Sequence, residues 1–342
     1  MENILYSKVA VRAIHEERKD FKTFELESKS AINYKAGQYL TLVHNPGAEE
    51  IRRSYSITSS PLLHEPLTIG VKRMDNGFFS RLLVDNTRIG DEFFTSGTGG
   101  LFILPENPSA YRQMIFLAAG SGITPVFSLI KTLLHFHPSV QVFLLYSNSS
   151  PEQSIFLNNL EQLSNQFSQF HCQFIFSNHP DLHKARLNRD YLFRFLDENV
   201  ESQTAMFYIC GPESYNRMCT YLLQERGIHP ERIRKENFLI PAYRPVSLPP
   251  DKNFHQAFIR SDQGEFVVNV NYPDTILKAA RKQNIVLPYS CETGRCGNCV
   301  ARCTSGKVWH SYNEVLTDKD LEAGLILTCT GHPVGGDVHL DL

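Results

Sequence analysis

The first 105 residues predict a series of short antiparallel strands. Apolar and polar side chains alternate in segments such as SKVAVRAIHEE and FKTFELES, which is typical of strands with one buried face. Turn signals such as Gly37, Pro61 and Asp75-Asn76-Gly77 separate these segments at short intervals. We therefore predict a small antiparallel β-barrel over residues 1–105.

After Pro105 the strands become continuous apolar runs, namely MIFLAAG, VQVFLLYS, CQFIFS and AMFYICG. Such runs are typical of a parallel sheet that is covered on both faces. Apolar residues recur between them at helical spacing in two groups: Val126, Leu129, Ile130, Leu133 and Leu134, and Ile155, Phe156, Leu160 and Leu163. This alternation predicts a doubly wound α/β domain over residues 106–240.

A proline-rich stretch follows the α/β pattern. Pro241, Pro245, Pro249 and Pro250 stand within ten residues, which favours an extended, semi-rigid linker. We assign residues 241–255 to this linker and residues 256–342 to a third, tethered domain.

Composition limits the class of protein. The 342 residues include 42% hydrophobic and 20% charged residues, as in a globular chain of two or three domains, and a net charge of −2 gives no bulk attraction to nucleic acid or anionic membranes. The first 18 residues alternate like a strand, so we expect no signal peptide. The apolar stretch Met114 to Ile130 is interrupted by two glycines and Pro125, so we expect no membrane span.

The third domain carries a strong cysteine pattern. Cys291, Cys296 and Cys299 form a C-x4-C-x2-C sequence, and Cys329 follows thirty residues later, which is the plant-type spacing for a [2Fe–2S] cluster. Four inert buried thiols or a zinc site are the alternatives, although zinc sites usually pair two C-x2-C sequences. The other cysteines, Cys172, Cys210, Cys219 and Cys303, are scattered, which favours a reducing cytoplasm over disulfides.

Two motifs in the barrel suggest a phosphate-bearing ligand. Strand alternation places Arg53 and Tyr55 of the R-x-Y-S sequence on one face, where a guanidinium can bind phosphate and a phenol ring can pack on a flat ligand. Gly77 to Ser80 predict a helix start that offers N–H and hydroxyl donors to an anion. Taken alone, R-x-Y-S is also compatible with a solvated arginine beside a core tyrosine.

Two further motifs lie in the α/β domain. Gly120 to Pro125 form a glycine turn after the first strand, with Thr124 as a helix cap and Pro125 at the first helical position, so the helix start is open to a pyrophosphate. This is not the full dinucleotide fingerprint, because Pro125 replaces its third glycine, and a purely structural turn is the alternative. Cys210-Gly211-Pro212 follows the fourth strand, where a buried strand-end thiol is the alternative interpretation.

Together these motifs resemble a known family. Residues 256–342 resemble a plant-type ferredoxin, which implies a β-grasp fold. R-x-Y-S followed by G-x-x-S-x-x-L resembles the flavin barrel of the ferredoxin–NADP reductase superfamily, and A-G-S-G-I-T-P with C-G-P resembles its nicotinamide domain. The domain order is similar to that of oxygenase and hydroxylase reductase components, including phenylacetyl-CoA epoxidase reductase subunits.

The resemblance implies FAD, rather than FMN, together with NADH or NADPH. The implied flavin-binding residues are Arg53, Ser54, Tyr55, Ser56, Val71, Lys72, Gly77, Phe78, Phe79 and Ser80. The implied coenzyme-binding residues are Gly120, Gly122, Thr124, Pro125, Gly211 and Pro212. The residues implied to lie at the reacting rings are Tyr55, Ser56, Thr124, Cys210, Glu236 and Phe238. For Glu236 and Phe238, a strand-end charge and a core ring are the alternatives.

The expected activity is electron transfer from NAD(P)H through FAD and the [2Fe–2S] cluster to an oxygenase, a hydroxylase or another acceptor protein that docks near the ferredoxin domain. A stand-alone flavin reductase acting on small acceptors and a non-catalytic binding protein are the alternatives.

The second α/β strand ends in the neutral residues Ser147 to Ser150, and related reductases often carry arginine where Ser149 stands. Because Lys184 and Arg186 could reach the pocket for the 2′-phosphate of NADPH, we expect use of both coenzymes with a modest preference for NADH.

Overall fold

The computed structural model describes residues 6–45, 50–201, 203–238, 247–262 and 264–342. The chain divides into two compact units, Met1–Leu239 and Ile240–Leu342. No helix among the described residues combines the length and apolar character needed to cross a membrane.

The first unit begins with a six-stranded antiparallel sheet. Its strands are β1 Ser7–Arg18, β2 Phe21–Ser28, β3 Tyr39–His44, β4 Ile51–Ser56, β5 Leu67–Lys72 and β6 Glu92–Gly99. They pair in the order β4-β3-β6-β1-β2-β5, and a bridge between Ile57 and Ile69 links the two ends of the sheet. The predicted antiparallel barrel is confirmed. A short helix, α1 Phe78–Arg81, follows β5 and continues as a π-helical turn, Leu82–Asn86.

The rest of the first unit is a five-stranded parallel sheet with helices on both faces. The strands are β7 Gln113–Ala119, β8 Gln141–Asn148, β9 Phe170–Phe176, β10 Ala205–Cys210 and β11 Ile233–Glu236. The helices are α2 Ile123–Phe136, α3 Leu157–Gln166, α4 Leu182–Ala185, α5 Arg189–Asn199 and α6 Glu213–Glu225. The doubly wound α/β prediction is confirmed.

The order of these strands determines where a ligand can bind. They pair as β11-β10-β7-β8-β9, so the connections from β7 run to β8 on one side and eventually return to β10 on the other. At such a reversal the helices leave in opposite directions, and a crevice opens at the carboxyl ends of the two central strands. The turns after β7 and β10, which begin at Gly120 and Gly211, border this crevice.

Helix α2 joins the α/β domain to the barrel. The Ser128 hydroxyl donates to the Ser59 carbonyl at 2.6 Å, and the hydroxyls of Thr132 and Ser60 lie 2.8 Å apart. Phe21 of the barrel packs within the apolar core of the α/β domain. Because Ser59 and Ser60 closely follow β4, these buried contacts fix that strand relative to the crevice.

One predicted helix boundary is wrong. Helical spacing places Ile155 and Phe156 in the helix that contains Leu160, but α3 begins only at Leu157. Phe156 adopts a left-handed conformation with φ of 59°, and its ring stacks on Phe127 with centroids 4.5 Å apart. Tertiary packing of this ring, which helical spacing does not report, outweighs the cost of the left-handed backbone.

The second unit is a β-grasp domain, as predicted. Its strands are β12 His255–Ser261, β13 Gly264–Val270, β14 Val300–Ser305, β15 Val308–His310, β16 Leu325–Leu327, β17 Gly331–Pro333 and β18 Val338–Asp341. Its helices are α7 Ile276–Lys282 and α8 Asp318–Glu322. The main sheet has the mixed order β13-β12-β18-β14-β16, in which β12 and β18 are parallel. Helix α7 buries an apolar face that includes Ile276 and Ala280.

The predicted linker is only partly described, because residues 241–246 lie outside the described ranges. Near its end, Asp251 bonds to His255 Nε2 at 2.7 Å and accepts a hydrogen bond from the Gly335 N–H at 2.7 Å. Residues from Asp251 onward are therefore attached to the β-grasp domain. The limits at 105, 240 and 255 remain predictions.

Candidate cofactor sites

A cavity of about 420 Å³ lies in the first unit where the barrel meets the crevice. Its volume falls within the range of roughly 300–1,000 Å³ that is usual for ligand pockets. The predicted residues that line it are Arg53, Ser54, Tyr55, Ser56, Lys72, Gly77, Phe79, Ser80, Gly120, Thr124, Gly211, Pro212 and Phe238. The structure thus brings the barrel motifs and the two α/β turns together around one space.

Six predicted residues do not line this cavity. They are Val71, Phe78, Gly122, Pro125, Cys210 and Glu236. Val71 is fully buried in the barrel core, whereas Phe78 is 50% exposed. Cys210 is buried and Glu236 is half-buried, and the two are in register on β10 and β11. Direct contact of these side chains with the flavin or the coenzyme remains a prediction.

Tyr55 offers a neutral aromatic surface in the cavity. Its ring packs against Phe79 with centroids 6.2 Å apart. Burial raises the pKa of the Tyr55 hydroxyl well above its usual value, although the charge of neighbouring Arg53 opposes this shift. The ring therefore stays uncharged, while Arg53 supplies positive charge beside it.

The sequence reasoning missed several lining residues: Phe21, Gly70, Met74, Ala119, Ser121, Glu213 and Asn237. Gly70 is the most informative. A Cβ atom there would lie 2.8 Å from both Phe21 Cζ and Thr124 Cγ2, so glycine allows β5 to approach the start of α2. An isolated glycine inside a strand was the available signal, since such residues often mark a close approach.

The Gly77–Ser80 turn differs from its prediction. The Gly77 N–H donates to the Met74 carbonyl at 2.9 Å, and the Ser80 hydroxyl donates to the Gly77 carbonyl at 3.2 Å. Both expected donors are therefore engaged in stabilising the turn itself. Donors for an anion would instead be the N–H groups in the first turn of α1, which have no partner within the helix.

The coenzyme turn was also only partly anticipated. Helix α2 begins at Ile123, so Thr124 is not its cap and Pro125 is not its first residue. The Thr124 hydroxyl donates to the Ser121 carbonyl at 2.8 Å, because the tight Gly120–Gly122 turn brings that carbonyl within reach. A Cβ atom at Gly122 would lie 2.0 Å from the Cys210 carbonyl oxygen, so this glycine allows the turn to pack against β10.

A buried carboxyl group lies at the end of β11, opposite Cys210. Burial raises the pKa of Glu236 to about 8, and burial together with Glu236 raises the pKa of Cys210 well above its usual value. Among the described residues, Glu236 Oε2 has no hydrogen-bond partner. A buried polar atom of this kind takes a bound water or a ligand atom as its partner.

The buried carboxyl predicts a pH-dependent stability. Between its ordinary pKa of 4.5 and its folded value of about 8, Glu236 holds a proton that the unfolded chain has released. The unfolding free energy should therefore fall as pH rises through this window, by at most about 1.4 kcal/mol per pH unit. Glu236→Gln should flatten the slope in denaturant unfolding measured from pH 5 to pH 9.

Glu161→Gln, at an exposed position on α3, is the matched control and should leave the slope unchanged. Identical slopes for wild type and Glu236→Gln would show that Glu236 titrates normally.

In the second unit, the cluster cysteines form two pairs. Cys291 and Cys296 are in hydrogen-bonding contact, as are Cys299 and Cys329. Contact with Cys296 lowers the pKa of the Cys291 thiol to about 5, which favours the thiolate. Within the described residues, no three His, Cys, Asp or Glu side chains surround a single ion position. Two pairs suit two irons better than one zinc ion, which needs its ligands around one point.

The backbone of the cluster loop explains its glycines. Gly294 and Gly297 both have φ of 73°, and a Cβ atom at Gly294 would lie 2.7 Å from the Tyr312 carbonyl oxygen. Arg295 Nε lies 2.7 Å from Glu314 Oε2, and both side chains are largely buried. This ion pair, which the cysteine spacing did not reveal, holds the loop against the segment after β15. The loop is therefore pre-formed around the cysteine pairs.

Three family models match successive parts of the chain. Residues 8–103 match the Oxidoreductase FAD-binding domain, residues 116–220 the Oxidoreductase NAD-binding domain, and residues 259–334 the 2Fe-2S iron-sulfur cluster binding domain. The chain is 32% identical to a 1,2-phenylacetyl-CoA epoxidase subunit of Escherichia coli strain K12, over 92% of this chain and 90% of that protein. The chain belongs to the ferredoxin–NADP reductase superfamily, in the group with a C-terminal plant-type ferredoxin domain.

Solved structures show the same architecture. Phthalate dioxygenase reductase, described as a modular structure for electron transfer from pyridine nucleotides to [2Fe-2S], is 25% identical with a TM-score of 0.59, and 98% of each chain is covered. An intact type IV self-sufficient cytochrome P450 monooxygenase is 22% identical with a TM-score of 0.72; the alignment covers 98% of this chain but only 41% of that structure, so the likeness shows the fold alone. The chain is an NAD(P)H-dependent oxidoreductase that uses FAD and a [2Fe–2S] cluster.

Proposed function

We propose that this oxidoreductase is the reductase component of an oxygenase or hydroxylase system. The observation that carries the proposal is the convergence of the barrel and α/β motifs on one cavity, in a chain that also holds a paired cysteine loop. When bound, NAD(P)H supplies a hydride, FAD accepts two electrons and releases them singly, and the cluster carries single electrons.

The barrel residues would hold the flavin. Arg53 carries the positive charge that a flavin phosphate requires, while Tyr55 supplies a neutral ring on which isoalloxazine can stack. Ser54, Ser56 and Lys72 add polar groups on the same wall. The first N–H groups of α1 would bind the pyrophosphate.

The α/β turns would hold the coenzyme. The Thr124 hydroxyl uses its hydrogen on Ser121, so it can act toward a ligand only as an acceptor, which suits a carboxamide N–H. Gly211, Pro212 and Phe238 also line the cavity. These residues would orient the nicotinamide ring against the isoalloxazine ring and exclude water from the space between the two rings.

The terminal acceptor is proposed by analogy with the relatives. An epoxidase subunit and a dioxygenase reductase are among them, so an oxygen-activating component that docks near the ferredoxin domain is the proposed partner. We also propose a cytoplasmic location, and domain limits at 1–105, 106–240, 241–255 and 256–342.

Anaerobic titration of the purified protein with NADH tests this function. Flavin and cluster absorbance should both bleach, and a partner component should then be reduced. Reduction of free flavins at full rate after deletion of residues 256–342 would favour a stand-alone flavin reductase. Absence of flavin absorbance would favour a binding protein.

The end of β8 predicts weak coenzyme discrimination. Ser147 to Ser150 carry no charge, and Lys184 lies 4.0 Å from Asp181, so its charge is partly balanced. A neutral pocket cannot distinguish strongly a 2′-hydroxyl from a 2′-phosphate. We expect kcat/KM to favour NADH by no more than about tenfold, equivalent to ~1.4 kcal/mol.

The kcat/KM values for NADH and for NADPH should be measured on one preparation. Ser149→Arg should shift the ratio toward NADPH, because it adds a cation where related reductases carry one. A wild-type preference for NADPH of about a hundredfold would mean that Lys184, Arg186 or another cation builds a phosphate site.

A further inference from the structure

Asn216 links helix α6 to the end of the edge strand β11. It lies in the first turns of α6, is 2% exposed, and its backbone N–H donates to the Pro212 carbonyl at 3.0 Å. Its Nδ2 donates to the Glu236 carbonyl at 2.8 Å and to Asn237 Oδ1 at 2.6 Å. One buried residue therefore connects the turn after β10, through its backbone, with the residues that leave β11, through its side chain.

The chemistry of these bonds fixes the orientation of the Asn216 amide. The Glu236 carbonyl can only accept a hydrogen bond, so the amide must direct its NH₂ group toward β11. Its Oδ1 has no partner among the described residues. An acidic or apolar side chain at this position would leave the Glu236 carbonyl without its buried donor.

The segment held by Asn216 forms part of the cavity. The ladder between β10 and β11 ends at the pair Cys210 and Glu236, so sheet pairing does not extend to Asn237 and Phe238. Both of these residues nevertheless line the cavity, and Phe238 is 42% exposed. Beyond the ladder, the hydrogen bond from Asn216 Nδ2 to Asn237 Oδ1 ties this segment to helix α6.

We propose that Asn216 is a positioning residue for hydride transfer, which acts by holding Asn237 and Phe238 against the cavity. The inference rests on the proposed binding of flavin and coenzyme in that space. A hydrogen-bond donor at position 216 keeps Phe238 at the position in the cavity that allows the nicotinamide ring to approach the isoalloxazine ring. Loss of the donor releases this segment without disturbing the barrel residues that hold the flavin.

Asn216→Asp in the full-length holoprotein tests the proposal. Flavin reduction by NADH should slow by about tenfold at pH 8, where the aspartate is ionised and has no donor, because small misplacements strongly affect such steps. At pH 5.5 the rate should return toward wild type, because burial at position 216 raises the pKa of the introduced aspartate and its protonated form regains an O–H donor. Asn216→Ala should be slow at both pH values. Flavin content and cluster absorbance should match wild type throughout.

Among the neighbouring titratable groups, Glu236 has a pKa near the upper end of this pH range, whereas burial raises the pKa values of Cys210, Tyr215 and Cys219 above it. The wild-type profile measured in parallel accounts for Glu236. Asn199→Asp is the matched control, because among the described residues that side-chain amide bonds a carbonyl of its own helix alone, at 3.0 Å, and the rate of this variant should follow wild type. A wild-type rate for Asn216→Asp at pH 8, or loss of flavin at both pH values, would overturn the positioning role. If wild-type protein itself failed to accept a hydride, the proposed function would fail instead.

Discussion

Replacing Cys296 with serine should abolish the iron–sulfur cluster while leaving reduction of the flavin by NAD(P)H intact. Cys296 contacts Cys291 and is one of the four cysteines that would hold the cluster, so serine removes one of the required thiolates. The visible absorbance of the cluster and the iron content should fall to background. Electron delivery to a partner component should then be lost almost completely.

Flavin reduction should persist because every residue of the candidate flavin and coenzyme sites lies in the first unit. Anaerobic stopped-flow measurement should give a rate within about twofold of wild type. Cys303→Ser is the matched control, since Cys303 lies on β14 of the same domain, outside the cysteine pairs, and its thiol bonds the Ser305 carbonyl. If Cys296→Ser also lost hydride uptake, the modular arrangement of the cofactors would be wrong.

The parts of this protein that could be predicted from sequence are those in which chemistry imposes a local spacing. Four thiolates around two irons require a short loop, so Cys291 to Cys299 stand close together in the chain. Fold class was predictable for a related reason, because alternating and continuous apolar runs report whether one or both faces of a strand are buried. The barrel and the parallel sheet follow from that difference.

Features that depend on contacts between distant residues could not be predicted. Helical spacing placed Phe156 in a helix, but its contact with Phe127 required a left-handed backbone instead. Similarly, the helix preference of Pro125 suggested a start two residues later than the observed one, because the Gly120–Gly122 turn winds directly into α2. In both places, tertiary packing decided the local geometry.

The residues of the candidate site likewise divide into those that local motifs predict and those that only the fold brings together. Arg53 was predicted because a guanidinium on that face of the strand suits a phosphate, and Thr124 because its turn resembles the nicotinamide domain of the family. Glu213 and Asn237 were missed, since neither belongs to a motif and only the fold brings them to the cavity. Asn216 is harder still to predict from sequence, because it does not line the cavity and contacts the site through Asn237.

Replacing Tyr55 with alanine should weaken flavin binding more than any other single change in the barrel wall. The ring is largely buried, packs against Phe79 and lies where strand β4 meets the cavity. Aromatic stacking contributes about 1–3 kcal/mol, so flavin affinity should fall by roughly tenfold to a hundredfold. Flavin released from the purified variant, followed by fluorescence and by ultrafiltration, measures this loss directly.

Tyr55→Phe separates the ring from its hydroxyl. Because burial keeps the phenol neutral, removing the hydroxyl alters no charge in the cavity, and the phenylalanine variant should retain flavin and transfer hydride at close to the wild-type rate. An alanine variant with unchanged flavin content and an unchanged rate would remove Tyr55 from the site. Equal losses in both variants would assign the effect to the hydroxyl, and the wall formed by β4 would then bind the flavin through polar contacts rather than through stacking.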